Sequence, residues 1–204
     1  MNGTGQSVSG QVSPALHDAG ADDRALVARI AAREEAAFRE AITAHAPTMN
    51  RIAYRMTGQP HEAEDIVQEA MLRLWDHASR LEAQPGAIRI APWLKRVTIN
   101  LAIDRLRLAR RVSSSEVPER ADDSPLADER IAQTDEAVLA RHLIAQLPDR
   151  QRAAIVLTYY EEQANADAAR ALDMNIKAFE SLLHRARAAL RKAFDQAQAQ
   201  GGAR

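Results

Sequence analysis

Between His61 and His77 the apolar residues Ala63, Ile66, Val67, Ala70, Met71, Leu74 and Trp75 recur at three- and four-residue steps. That spacing draws one unbroken stripe along a helix and leaves Glu62, Asp65, Gln68, Glu69 and Asp76 off it. No stretch of the chain alternates apolar and polar residues with a period of two, and no internal repeat is visible, so the fold class expected is all-α. Of the residues, 46% are hydrophobic but only 4% aromatic, so the core must be built from Ala, Leu, Ile and Val. The absence of cysteine excludes disulfide frameworks, thiolate zinc sites and cysteine nucleophiles. No apolar run reaches the roughly 20 residues of a membrane span, so direct membrane insertion is not expected. The polar N-terminus lacks a secretory pattern, and the expected location is the cytoplasm.

Helical periodicity predicts helices near 22–45, 48–57, 61–82, 92–111, 135–147, 149–162, 166–172 and 176–196. Gly58-Gln59-Pro60 ends the second of these, and Pro92 and Pro148 suit the first turns of later ones. Residues 1–21, 112–134 and 197–204 are expected to be unstructured, the middle stretch being a flexible acidic linker between two helical domains at 22–111 and 135–196. The formal charge of −1 conceals this division. Residues 22–111 hold 15 basic against 12 acidic side chains, and 136–204 hold 10 against 8, whereas 112–135 hold 2 against 7. Such asymmetry is a signal of charged partners. Lys95, Arg96, Arg105, Arg107, Arg110 and Arg111 face Asp104 alone in the segment 95–111.

At the C-terminal end a short helix (166–172), a turn at Asp173-Met174-Asn175 and a longer basic helix make a helix-turn-helix pattern. His61, Glu62, Glu64 and Asp65 lack the HExxH spacing, and no second Glu-x-x-His helix completes a di-iron site, so no metal is expected. Neither a Gly-rich phosphate loop nor a nucleophile elbow is present, and neither a catalytic residue nor a cofactor is expected.

HEAEDIVQEAMLRLWDH (61–77) resembles the AED-(I/L)-V-Q-E-x-x-L-R-x-W core of region 2 in bacterial RNA polymerase sigma factors. APWLKRVTINLAIDRLRLARR (91–111) resembles the segment that follows it in that family. LPDRQRAAIVLTYYEEQ (147–163) and ALDMNIKAFESLLHRARAALRKAF (171–194) resemble region 4. Regions 2 and 4 without a third domain between them are the layout of the extracytoplasmic-function (ECF) subfamily.

The resemblance implies a promoter-specificity subunit that is not an enzyme. It implies that Asp65, Gln68, Glu69, Leu72 and Arg73 bind the clamp helices of the largest subunit of core RNA polymerase, where carboxylates suit an arginine-bearing partner. It also implies that a loop near 83–92 and the helix after it engage the −10 promoter element, with Arg89, Lys95, Arg96, Asn100, Arg107, Arg110 and Arg111 as candidates. Asp104 is expected to pair with Arg107 or Arg105. In region 4 the helix-turn-helix at about 166–190 would read the −35 element. Lys177, Ala178, Glu180 and Ser181 would point at base edges, and His184, Arg185 and Arg187 at phosphates.

Two departures from the family pattern stand out. Asp173 occupies the turn position where glycine is usual, and Ala178-Phe179-Glu180 replaces Thr-Val-Lys. Asp tolerates the left-handed conformation such a turn needs. Glu180 could accept a hydrogen bond from a cytosine amino group or pair with Arg187 or His184, and Phe179 is expected in the core rather than on DNA. An anti-sigma factor is a further implied partner. A stand-alone helix-turn-helix regulator would account for 148–196 but leave AEDIVQE without a role, and a helical scaffold or an enzyme would explain neither.

Overall fold

A computed structural model describes residues 14–113 and 135–201, with side chains placed over 22–111 and 137–199. Eight α-helices follow one another among the described residues, and there is no strand. α1 (Pro14–Ala31), α2 (Glu35–Thr57), α3 (Pro60–Glu82) and α4 (Ile90–Ser113) form an N-terminal bundle. α5 (Asp135–Ala145), α6 (Asp149–Ile155), α7 (Asn165–Ala171) and α8 (Ile176–Gly201) form a C-terminal one.

α3 buries the stripe read from its sequence: Ala63, Ile66, Ala70, Met71 and Leu74 are all in the core, with Val67 and Trp75 packed against it. Gly58 stands in the left-handed region at φ 74°, and its N–H donates to Tyr54 O, closing α2. Phe179 is completely buried in α8, so its ring belongs to the core as expected.

The N-terminal boundaries differ from expectation. The break falls at Ala32–Glu34, not at Pro47, which lies inside α2 on its exposed side. There, water can serve the carbonyl that the proline ring leaves without a donor. α1 instead ends in a Schellman arrangement: Arg33 N–H donates to Ile30 O, and Glu34 N–H to Arg29 O. Arg33 takes the left-handed conformation (φ 62°) normally given to glycine. Its guanidinium donates to Trp75 O and lies 4.9 Å from the Trp75 ring centre, contacts that offset the backbone cost. Arg29 reinforces the corner by bonding Glu34 at 2.7 Å and Glu40 at 2.8 Å, and it holds the Glu34 carboxyl below its usual range.

Residues 14–21 and 197–201, expected to be unstructured, continue α1 and α8. Both are extensions of packed helices, Pro14 suits a first turn, and each added residue gains a backbone hydrogen bond without a new nucleus. α4 begins two residues before Pro92, leaving the proline in a first turn, where its missing N–H costs nothing. Of the expected linker, 114–134 lies outside the described residues, and its mobility is not addressed by them.

The helix expected over 149–162 is α-helical only to Ile155. Val156–Tyr160 is a π-helical turn, sealed by Glu161 N–H donating to Val156 O at 3.1 Å. The two bundles touch: α4 packs on α6 and α7, and α2 on α5, α6 and the π turn. Arg152 of α6 sits almost wholly buried at that junction and donates to Ala145 O in its own bundle and to Met56 O in the last turn of α2. Burial lowers the Arg152 pKa, Asp149 opposes that shift, and Arg110 adds to it. The cation nonetheless suits a helix C-terminus, where unpaired carbonyls concentrate negative partial charge.

Phe179→Ala should lower the unfolding free energy by about 3–5 kcal/mol, the range for emptying an aromatic site in a packed core. Urea denaturation measures it, and an unchanged midpoint would contradict the burial of this ring.

Candidate nucleic-acid interface

The segment Ala83–Arg89 joins α3 to α4 and is anchored from below by Ile88 and from α1 by two residues that carry no local signal. Asp23 Oδ2 accepts a 2.9 Å hydrogen bond from Ile90 N–H and so caps α4 across 67 positions of sequence. The Arg24 guanidinium donates to Gly86 O at 2.6 Å. Gly86 has φ 100°, a conformation open to glycine and strained for other residues. Asp23 also faces His45, whose pKa burial lowers and Asp23 partly restores. Neither Asp23 nor Arg24 was recognisable from sequence, because each acts on a partner more than sixty residues away.

On α4 the candidate cations are present but differently occupied. Arg89 and Asn100 are exposed. Arg107 pairs with Asp104 at 3.7 Å, one of the two pairings foreseen. Arg105 takes the other direction, reaching Glu62 at 3.1 Å and Asp65 at 3.9 Å on α3. Arg111 is exposed at the end of the described side chains of α4. Three cations meet carboxylates of the C-terminal bundle: Lys95 with Glu161 at 3.1 Å, Arg96 with Asp173 at 3.4 Å, and Arg110 with Asp149. A cleft of about 770 Å³ opens beside them, lined by Arg89, Trp93 and Arg96 on one wall and by Gln163, Asp167 and Arg170 on the other.

In the helix-turn-helix, Asp173 has φ 55°, and the turn closes with Asp173 N–H donating to Arg170 O and Met174 N–H to Ala169 O. Aspartate therefore takes the position usually given to glycine. Asn175 Oδ1 then accepts from Ala178 N–H at 2.8 Å and starts α8. Lys177, Glu180, Ser181, His184, Arg185 and Arg187 are exposed, and Ala178 is half-buried. Among the described residues Glu180 forms no ion pair; Arg187 lies 5.4 Å from the Tyr159 ring centre instead.

A separate surface is presented by α3, where Asp65, Gln68, Glu69, Leu72 and Arg73 share the side opposite the core. Leu72 is 47% exposed although it is a large aliphatic residue. Glu69 and Arg73 pair at 2.9 Å along the helix.

Residues 41–112 match the sigma-70 region 2 family and residues 137–190 the sigma-70 region 4 family. SigL, an ECF RNA polymerase sigma factor of Mycobacterium tuberculosis, is 36% identical over 169 residues, covering 82% of this chain and 94% of SigL. The probable RNA polymerase sigma factor RfaY of Xanthomonas campestris is 35% identical over 161 residues. That match covers 76% of this chain but only 40% of RfaY. Among solved structures, RpoE of Bartonella quintana, determined with the anti-sigma factor NepR, shares the fold with a TM-score of 0.62 at 21% identity, covering 78% of this chain and 96% of RpoE. The chain belongs to the ECF sigma factors, the promoter-recognising subunits of bacterial RNA polymerase.

Asp23→Ala should cost about 1 kcal/mol, the usual worth of a helix cap. It should also raise hydrogen exchange selectively over 84–92 and lower the His45 pKa further by removing its compensating charge. Unchanged exchange there would mean the cap is not what orders the loop.

Proposed function

We propose that this chain directs transcription initiation through three surfaces. The α3 face (Asp65, Gln68, Glu69, Leu72 and Arg73) would hold core RNA polymerase, the Arg89 loop with α4 would engage the −10 element, and the first turns of α8 would read the −35 element. The exposure of Leu72 amid charged residues carries the polymerase assignment. An aliphatic side chain left in water within a ring of carboxylates and arginine is the composition of a docking patch for another helix. The chain itself performs no chemical step in this reading. It acts in the cytoplasm, where polymerase and promoter meet, and no helix among the described residues is long and apolar enough to cross a membrane. An anti-sigma factor is a further proposed partner, since RpoE of the same fold was solved bound to one.

Opening a promoter requires an extruded base to be held against a cost of a few kcal/mol. The cationic cleft beside Arg89 and Arg96 suits an anionic strand with an unstacked base. At the −35 element the exposed, unpaired Glu180 stands one helical turn from the start of α8, where a side chain reaches base edges in the major groove. Arg185 and Arg187, farther along, would meet phosphates.

Asp65→Arg should abolish capture of core polymerase in a pull-down while costing no more than about 1 kcal/mol, because the residue is exposed and its 3.9 Å pair with Arg105 is an exposed one. Unchanged capture would remove the α3 face from the polymerase interface. Glu180→Lys should change which upstream elements drive transcription from a randomised library, each altered base contact being worth about 1–3 kcal/mol. Arg185→Ala should instead weaken all promoters alike and flatten the salt dependence by about one phosphate. The reverse pattern would exchange the two roles.

A further inference from the structure

α4 starts without a capping side chain of its own. Arg89 holds the position before its first residue, and the Arg89 carbonyl accepts the first helical bond from Trp93 N–H at 3.3 Å. Serine, threonine, aspartate or asparagine usually stands there, because its side-chain oxygen accepts from an N–H of the first turn. A guanidinium has no acceptor, and its charge opposes the positive end of the helix. Asp23 of α1 supplies both missing functions. Its Oδ2 accepts from Ile90 N–H at 2.9 Å, and its carboxylate brings negative charge to that end. Arg24, the next residue of α1, acts on the loop ahead of the cap: Nη2 donates to Gly86 O at 2.6 Å and to Gln84 O at 3.4 Å. Val27 and Ile30, farther along α1, are completely buried, so both residues act from a helix fixed on the bundle.

The loop they hold presents an arginine outward. Gln84, Pro85, Gly86 and Ala87 are exposed, Ile88 and Ile90 are buried, and Arg89 between those two is exposed. Buried neighbours fix the backbone on either side of Arg89, and the cap from Asp23 leaves its side chain no duty within the helix.

We propose that Asp23 and Arg24 are positioning residues for −10 recognition. They cap α4 from outside and clamp the loop, so that the cap position itself can carry Arg89 toward the DNA strand. The inference rests on the −10 assignment of the Arg89 loop and deepens it. Both residues precede residue 41, where the region 2 match begins, so that match does not extend to them. A loop ordered before the strand arrives need not be ordered by it, and affinity rises by the cost avoided. Discrimination gains as well, because a contact group held in one place separates bases that a mobile group would accept alike.

The opposite charges of the two residues separate positioning from simple attraction for DNA. Loss of Arg24 removes a cation from the loop, whereas loss of Asp23 removes an anion. Attraction alone would weaken strand binding in the first case and strengthen it in the second. Positioning predicts a loss in both.

Full-length variants assembled with core polymerase are tested on a promoter library randomised in the −10 element and on another randomised in the −35 element. Asp23→Ala and Arg24→Ala should each lower transcription from the preferred −10 sequences roughly fivefold, the factor corresponding to about 1 kcal/mol. Each should also flatten the ranking of −10 sequences, while the −35 ranking and the capture of core polymerase stay as in wild type. Asp23→Asn removes the same charge as Asp23→Ala but keeps an oxygen that can accept from Ile90 N–H. Arg24→Lys keeps a charged donor for both carbonyls, which a single nitrogen of Arg24 serves. These two variants should keep the wild-type −10 ranking, and Arg89→Ala should change it. A changed ranking in Arg89→Ala, with Asp23→Ala and Arg24→Ala like wild type, overturns the positioning role and leaves the −10 assignment standing. Opposite effects of Asp23→Ala and Arg24→Ala, or equal losses in Asp23→Asn and Asp23→Ala, overturn it in favour of charge. An unchanged −10 ranking in Arg89→Ala overturns the −10 assignment of the loop, and the inference with it.

Discussion

Burial of small alanine side chains along the long helices of the N-terminal bundle is the constraint on which the rest of this structure depends. Ala37, Ala41, Ala53, Ala63, Ala70, Ala78 and Ala102 of α2, α3 and α4 are completely buried. Interaxial distances depend on the side chains at the contact, and alanine at these positions leaves room for the larger buried residues Met49, Ile52, Ile66, Leu74 and Leu94. Phe38 and Trp75 pack at the edge of this bundle with ring centres 4.9 Å apart, and Arg33 stacks on the latter. Each of these long helices also keeps one side in solvent. On that side α3 turns a row of polar residues with Leu72 outward, and α4 carries a run of arginines.

The features legible in the sequence are those whose cause is local. The apolar spacing of α3, the stop at Gly58 and the turn at Asp173 each depend on residues within a few positions, and periodicity or turn chemistry exposes them. Pro47 misleads because a breaker on an exposed helix face is tolerated when packing on the other face holds the helix. Arg33 misleads in the opposite sense: its left-handed conformation is stabilised by Trp75, 42 positions away, and an arginine carries no turn signal. The candidate interface divides in the same way. Which residues are exposed on α3 and α8 follows from helical phase, whereas the cap from Asp23, the loop contact of Arg24 and the carboxylates that reach Lys95 and Arg110 are tertiary.

A near-zero net charge gains meaning from these contacts. The acidic residues of the C-terminal bundle are not spread evenly over its solvent face: Asp149, Glu161 and Asp173 meet cations of the N-terminal bundle, and the first two are almost fully covered. Arg152 adds the reverse contact, a cation of the C-terminal bundle on the last turn of α2. The junction thus carries complementary charge in both directions. Its members are the kind of groups that exchange partners when DNA phosphates or another protein's charges are offered, since desolvated ion pairs gain little over well-hydrated or repaired ones.

Asp173 shows how a departure from the family's usual pattern can serve two ends. Left-handed turns favour glycine, and an aspartate there carries a conformational cost that its short polar side chain only partly relieves. Glycine would close the same two backbone hydrogen bonds but would have nothing to offer Arg96. With aspartate the turn survives, and a carboxylate projects from the helix-turn-helix toward the basic face of α4. That pair is exposed and individually weak, so it cannot by itself hold the bundles together. Its effect is directional. It registers the helix-turn-helix against one particular cation of α4, while Glu161 and Arg152 make the better-buried contacts across the junction. A residue that looks like a flaw in the turn is, in the folded protein, the point where the helix-turn-helix meets α4.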